Sequence, residues 1–111
     1  MLKQSAPEVV IDMLPIGERD AQNVVHLFSG IARRIIAISS ADVYRAYGRL
    51  HGTEPGSPGP LPLTEDSPLR EKLFPYRGAT PRRDDDPRKF MDDYDKILVE
   101  RVMMEIGRAH V

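Results

Sequence analysis

Cysteine is absent from the 111 residues of the chain. Its absence excludes disulfides, a thiolate nucleophile, and zinc or iron–sulfur sites with cysteine ligands. An excess of positive charge is also missing, since 16 Lys and Arg residues face 17 Asp and Glu residues, for a net charge of -1. Binding to a phosphate backbone needs a basic excess, so we do not expect nucleic acid as a partner.

Long apolar runs are missing as well. No segment approaches the roughly 20 apolar residues that a membrane-spanning helix requires, and residues 1–7 have no apolar core of signal-peptide length. We therefore expect a protein without a membrane partner, located in the reducing cytoplasm.

Two short apolar runs flank an amphipathic segment. Residues 9–13 and residues 34–39 are rich in β-branched side chains, and each run predicts a strand that is buried on both faces. Between them, apolar residues recur at intervals of three and four, which predicts a helix over residues 18–29 with Gly30 at its C-terminal end.

A strand, a helix and a second strand joined by a connection of about 20 residues predict a parallel pair with a crossover. This is one βαβ unit of an α/β fold, which we interpret as a partial Rossmann-like doubly wound parallel sheet. Ligands of such sheets bind beyond the carboxyl ends of the strands, here residues 12–14 and 39–44.

The second half of the chain begins with a long loop. Residues 52–88 are rich in proline, glycine and charge, which predicts a segment without regular structure. From Arg88 or Lys89 onwards a broad apolar stripe predicts a helix that packs on two sides. We interpret residues 1–111 as a fragment of a single NAD(P)-binding domain.

The last seven residues allow two interpretations. Residues 105–111 match the translation of a widely used sequencing adapter in one frame, which indicates read-through past the genuine protein. The alternative is an ordinary helix end with Gly107 as its cap.

Three motifs occur in the order of a known family. The run Ser40-Ala41-Asp42-Val43-Tyr44, preceded by Ser39, resembles the signature S-S-x-x-V-Y-G. Residues 62–69 resemble the segment P-x-T-E-D-x-P-x, and residues 96–100 resemble K-x-x-x-E. The chain is therefore similar to the extended short-chain dehydrogenase/reductase family, of the NAD-dependent epimerase/dehydratase type. Without the resemblance, the two serines simply end a strand and cap the next turn.

The resemblance implies an enzyme that uses NAD or NADP to move a hydride at a carbon of a nucleotide sugar, in a parent protein that forms a homodimer. Ser40 would hold the substrate oxygen, and Lys96 would bind the nicotinamide ribose and act on the catalytic tyrosine. No metal is expected. The implied cofactor-binding residues are Asp12, Met13, Leu14, Ser39 and Lys96.

One position departs from the family pattern. The catalytic tyrosine should lie four residues before Lys96, where this chain has Asp92. Tyr94 lies two residues before Lys96, and on a helix this turns its side chain by about 200° away, which favours a role in core packing. A shifted helix register would bring Tyr94 back. The alternative donors are Tyr44, Tyr47 and Tyr76.

Other candidate residues have simpler interpretations. His26 and His51 lack a partner at metal-ligand spacing, so we expect both on the surface. Residues 84–86 are three aspartates without the glycine and distal glutamate of a calcium loop. Guanidinium groups suit phosphate, so the candidate contacts with the diphosphate of a nucleotide sugar are Arg77, Arg82 and Arg83.

The chain has no glycine-rich dinucleotide turn, so we expect it to be inactive by itself as an internal fragment. A second hypothesis is an atypical member of the family that binds nucleotides or regulates and has lost the tyrosine proton relay. A third is a receiver-type doubly wound domain, which would need an acidic cluster at the strand ends, where only Asp12 qualifies.

Overall fold

The structure, a computed structural model, describes residues 7–59 and 62–109, with side chains as far as residue 105. The interpretation of residues 105–111 as read-through falls partly outside these residues, at 110–111. Five regular elements follow along the chain: β1 (Val9–Asp12), α1 (Glu18–Phe28), β2 (Arg34–Ala37), α2 (Arg45–Leu50) and α3 (Lys96–Ala109). Two 3-10 turns accompany them, the first at Ala41–Val43 and the second at Lys89–Asp93.

The two strands form a parallel pair. Val9 lies opposite Arg34 and Asp12 lies opposite Ala37, and α1 connects the two strands. The mixed α/β class and the parallel βαβ unit are confirmed, whereas the larger doubly wound sheet stays a prediction.

One face of the strand pair is open among the described residues. Exposed and half-buried side chains alternate along both strands, and Val9, Ile11 and Ile36 are 46%, 56% and 39% exposed. The prediction that both strands are buried on both faces is therefore wrong for the described chain. The helices α1 and α3 pack against each other and contact β2, so they cover a single face.

Helix α1 has the predicted start and ends one residue earlier than predicted. Glu18 and Asp20 lie in its first turn, where carboxylates favour the positive end of the helix dipole. The N–H of Ser29 donates to the carbonyl of Val25, and Gly30 follows with a φ of 79°. This positive φ suits a glycine immediately after a helix end.

Helix α3 begins at Lys96, so the prediction of a helix from Arg88 or Lys89 is wrong. The carboxylate of Asp95 accepts from the N–H of Ile97 at 3.0 Å, which is the bond of an N-cap residue. Tyr94 before it is extended, with φ -65° and ψ 123°. The apolar stripe continues across this break because the second 3-10 turn also repeats about every three residues.

The start of α3 carries most of the core. Ile97, Leu98 and Val99 are buried, and Ala21 of α1 packs with a side-chain exposure of 0%. Helix α2 was not predicted, since it has only six residues. In the described parts of residues 52–88 there is no helix, and Leu69 forms an isolated bridge with Tyr44. None of the described helices is long and apolar enough to cross a membrane.

Candidate functional site

Two segments distant in sequence meet beyond the carboxyl end of β2. The first is residues 38–44, and the second is residues 92–96 immediately before and at the start of α3. The ammonium of Lys96 donates to the carbonyl of Ile38 at 2.9 Å, and the N–H of Asp95 donates to the carbonyl of Ile16 at 3.0 Å. These bonds attach the start of α3 to the ends of both strands, because residue 16 lies in the connection after β1.

Ser40 lies at the start of the first 3-10 turn. Its hydroxyl oxygen accepts from the N–H of Asp42 at 3.2 Å, which caps this turn. The structure thus contains the serine cap that the sequence predicts without the family resemblance. The bond fixes the serine oxygen at the end of a strand.

Lys96 is only 6% exposed, and its ammonium lies 5.9 Å from the centroid of the Tyr94 ring. Burial lowers the pKa of Lys96, and three carboxylates oppose this effect. These carboxylates belong to Asp12, Asp42 and Asp20. The site therefore combines one ammonium with several acidic groups.

Tyr94 faces the same site as Lys96, which corrects the prediction that the two side chains point in opposite directions. That prediction assumed one continuous helix, whereas Tyr94 is extended and precedes the N-cap. Burial and, to a smaller extent, the Asp42 carboxylate raise the pKa of Tyr94 to about 12, although the Ser40 hydroxyl and the Arg70 charge act to lower it. The phenol is therefore protonated at neutral pH and lies close to both Ser40 and Asp42.

Asp42 is a further site residue that the sequence pattern did not predict. Its side chain is 4% exposed, and its Oδ2 accepts from the hydroxyl of Tyr76 at 2.8 Å. The Tyr76 ring in turn packs edge-on against the Tyr94 ring, with 5.2 Å between the centroids. A carboxylate at a variable position of the serine motif was the only available signal for Asp42, and Tyr76 was no more than one of the alternative tyrosines.

Asp92 does not join this group of side chains. Its carboxylate accepts from the guanidinium and the N–H of Arg82, at 2.6 and 3.0 Å, and pairs with the ammonium of Lys89 at 3.4 Å. Burial alone would raise the pKa of Asp92, but these bonds hold it below its usual range. The side chain at the usual tyrosine position is thus an ionised anchor for the loop.

The predicted diphosphate contacts are engaged within the chain. Arg77 donates to Asp93 at 3.0 Å, Arg82 donates to Asp92, and the exposed Arg83 pairs with Asp85 at 3.3 Å. Their guanidinium groups hold the loop to the segment around Tyr94 or to itself, which leaves less capacity for phosphate.

The remaining predicted residues lie around the strand ends. Asp12 accepts from the N–H of Leu14 at 3.2 Å, and the side chains of Met13 and Leu14 are 64% and 78% exposed. The hydroxyl of Ser39 donates to Glu100 of α3 at 3.0 Å, so it turns away from Ser40. Tyr44 ends the first 3-10 turn and bridges to Leu69 through its backbone.

Ser40, Tyr94 and Lys96 do not line the cavity at the start of α1. This cavity of about 430 Å³ is lined by the start of α1 together with Phe74, Phe90 and Leu98. Within the part of the chain that the structure describes, no three potential metal ligands come together. His26 and His51 are exposed, as expected.

A hydroxyl, a phenol and an ammonium together can hold a carbonyl or alcohol oxygen and pass a proton to it. Such groups accelerate a reaction when they are held in place and excluded from water. Ser40 is fixed by its cap, Lys96 by Ile38, and Tyr94 by the packing of Tyr76. Comparisons with family models, with curated proteins and with solved structures found no match to the chain.

Proposed function

We propose that the chain is the part of an NAD(P)-dependent nucleotide-sugar epimerase, dehydratase or reductase that contains the proton-transfer group. The observation that carries the proposal is the approach of Tyr94, Ser40 and Lys96 at the carboxyl end of β2. The order of the sequence motifs supports the same family. The doubly wound sheet and the nucleotide-sugar substrate are parts of this proposal.

Each of the three residues has a role that suits its surroundings. Ser40 donates its hydroxyl proton to the substrate oxygen, because its own oxygen is engaged by the N–H of Asp42. Tyr94 gives a proton to a developing alkoxide, since its pKa of about 12 keeps it protonated. Such an acid contributes about 10²–10⁴ in rate.

The residues at the strand ends fit a nicotinamide cofactor. Lys96 uses one ammonium proton on Ile38, which leaves two for ribose hydroxyls. Met13 and Leu14 present an exposed apolar surface at the end of β1 that suits a nucleotide ring. The bound cofactor supplies hydride transfer, and the chain's own residues orient the sugar and move its proton.

The test uses the protein encoded by the uninterrupted reading frame, with NAD(H) and NADP(H) and a set of nucleotide sugars. Lys96→Ala should weaken cofactor binding about 10–100-fold, because a charged hydrogen bond is worth about 1.5–3 kcal/mol. Lys72→Ala is the matched control, since Lys72 is exposed. Unchanged affinity in Lys96→Ala would contradict the role of Lys96.

The same protein tests the proton transfer. Tyr94→Phe and Ser40→Ala should each lower kcat by about 10² or more, with little change in cofactor affinity. Tyr47→Phe is the control, because the Tyr47 ring packs on His51 rather than on Tyr94. Full activity of Tyr94→Phe would exclude this tyrosine as the acid.

A second candidate is a nucleotide-binding or regulatory protein without the proton relay. A phenol with a pKa of about 12 stays protonated at neutral pH and cannot take a proton from an alcohol, which favours this candidate. This candidate predicts that cofactor binds and depends on Lys96, while no nucleotide sugar is turned over. Measurable hydride transfer that Tyr94→Phe abolishes would rule it out.

A further inference from the structure

We infer that Asp42 is the positioning residue of Tyr94, and that the hydroxyl of Tyr76 acts on Tyr94 by holding the Asp42 carboxylate. The inference rests on the proposed function for its consequence in catalysis. The coupling between the side chains of Asp42, Tyr76 and Tyr94 can be measured without any enzymatic turnover.

Asp42 has one carboxylate oxygen engaged and one open. Its Oδ2 accepts from Tyr76 at 2.8 Å, while its Oδ1 is buried and accepts no hydrogen bond from the described residues. An open acceptor in a buried site is costly, so a nearby donor gains by turning towards it. The Tyr94 phenol lies next to this carboxylate, because its ring packs edge-on against the ring of Tyr76, whose hydroxyl donates to Oδ2. The Asp42 carboxylate accordingly contributes to the raised pKa of Tyr94.

The backbone of Asp42 is fixed on both sides. Its N–H donates to Ser40, and its carbonyl accepts from the guanidinium of Arg70 at 2.7 Å. Arg70 is itself buried and paired with Asp95, the residue after Tyr94, at 2.7 Å. Arg70 therefore connects the backbone that carries the Asp42 carboxylate with the segment that carries the Tyr94 phenol.

Tyr76 is held in place by the loop that carries it. Its carbonyl accepts from the guanidinium of Arg82 at 3.0 Å, and Arg82 is held by Asp92. Its ring contacts the edge of the Tyr94 ring, and its hydroxyl donates to Asp42. Burial and the Asp42 hydrogen bond both raise the pKa of Tyr76, so this phenol stays a donor.

Charged groups from three segments lie around Tyr94. Asp42 comes from the first 3-10 turn, Arg70 from the loop, and Lys96 from α3. Asp42 raises the pKa of Tyr94 and Arg70 lowers it. Removing the Asp42 charge should therefore let the phenol ionise more easily.

The experiment follows Tyr94 by NMR in the chain labelled with ¹³Cζ-tyrosine, and Tyr94→Phe assigns its signal. Asp42→Asn should move the ionisation of Tyr94 from about 12 towards the ordinary value of 10.0. Tyr76→Phe keeps the ring and removes only the hydroxyl. It should change the ¹³Cζ chemical shift of Tyr94 at neutral pH. In the Asp42→Asn background the same substitution should have no further effect.

Three results would overturn the inference. These are an unchanged Tyr94 titration in Asp42→Asn, an equal effect of Tyr76→Phe in both backgrounds, and an effect of the control Tyr47→Phe as large as that of Tyr76→Phe. If the coupling holds but the full-length protein turns over no nucleotide sugar, the proposed function fails while the positioning stands. If turnover depends on Tyr94 but the coupling is absent, the positioning alone fails.

Discussion

Removing the charge of Asp95 from its buried pair with Arg70 should be the most destabilising single substitution of a charged residue in the described chain. The Asp95 side chain is 0% exposed and that of Arg70 is 2% exposed. Asp95 accepts from Arg70 at 2.7 Å, from the N–H of Phe74 at 2.8 Å and from the N–H of Ile97 at 3.0 Å. One carboxylate thus joins the loop to α3.

Asp95→Asn keeps the size of this side chain, removes its charge and turns one acceptor into a donor. The buried guanidinium of Arg70 then has no counter-charge, and breaking such a pair from one side costs about 3–5 kcal/mol. At least one of the three donors also faces another donor, which costs about 1–3 kcal/mol. Because these effects overlap, we expect a loss of about 3–5 kcal/mol in the free energy of unfolding.

The assay is urea unfolding followed by circular dichroism. With an m-value of about 2 kcal/mol/M, a loss of about 3 kcal/mol lowers the midpoint by about 1.5 M. Asp93→Asn is the matched control two residues away, because its side chain is 84% exposed and its partner Arg77 is 44% exposed. Such a pair contributes about 1 kcal/mol or less.

The reasoning is refuted if Asp95→Asn costs no more than Asp93→Asn. Combining Asp95→Asn with Arg70→Met gives a second measure, because the double variant removes both charges. It should lose less than the sum of the single losses, since no unpaired charge remains. Full additivity would mean that the two side chains do not interact.

Two further predictions concern backbone packing and pH. Gly17→Ala should destabilise the chain by about 1–3 kcal/mol in urea unfolding, because its Cβ would overlap the carbonyl oxygen of Asp93. Gly78→Ala is the control. Its Cβ would lie 3.7 Å from the nearest oxygen, so its effect on the free energy of unfolding should be near zero. The raised pKa of Tyr94 means that its contribution to stability is complete below pH 10 and is lost as the pH rises to about 12, because the unfolded chain releases this proton first. Tyr94→Phe should flatten the pH dependence of the unfolding midpoint in this window, and an unchanged slope would contradict the buried phenol.

The first half of the fold was predictable because its pattern is local. The β-branched runs and the spacing in residues 18–29 identified β1, α1 and β2, and Gly30 identified the end of α1. Burial on both faces was not correctly predicted, because a continuous apolar run does not show which neighbours cover it.

The start of α3 was not predictable from the apolar stripe. A 3-10 turn and an α-helix have similar periods, so residues 89–93 and 96–109 look like one helix. The break depends on Asp95, whose carboxylate caps α3 and also pairs with Arg70. The second of these interactions joins residues 25 positions apart, which no local pattern reports.

For the candidate site, the sequence motifs indicated Ser40 and Lys96. The prediction that the Tyr94 side chain points away from Lys96 was wrong. The error came from a helical projection applied to a residue that is extended. Asp42 could not be identified, because its importance depends on contacts with Tyr76 and Tyr94 that long-range packing creates.

The acidic residues around Tyr94 explain how a tyrosine only two residues before Lys96 can face the same site. On one helix the two side chains would diverge, so the helix has to begin between them, and the cap at Asp95 is what begins it. The carboxylates of Asp92 and Asp93 then hold the extended segment, because Arg82 and Arg77 of the loop bind to them. The spacing between Tyr94 and Lys96 therefore depends on the three aspartates around Tyr94, which are Asp92, Asp93 and Asp95. A change in this spacing should require a change in these aspartates.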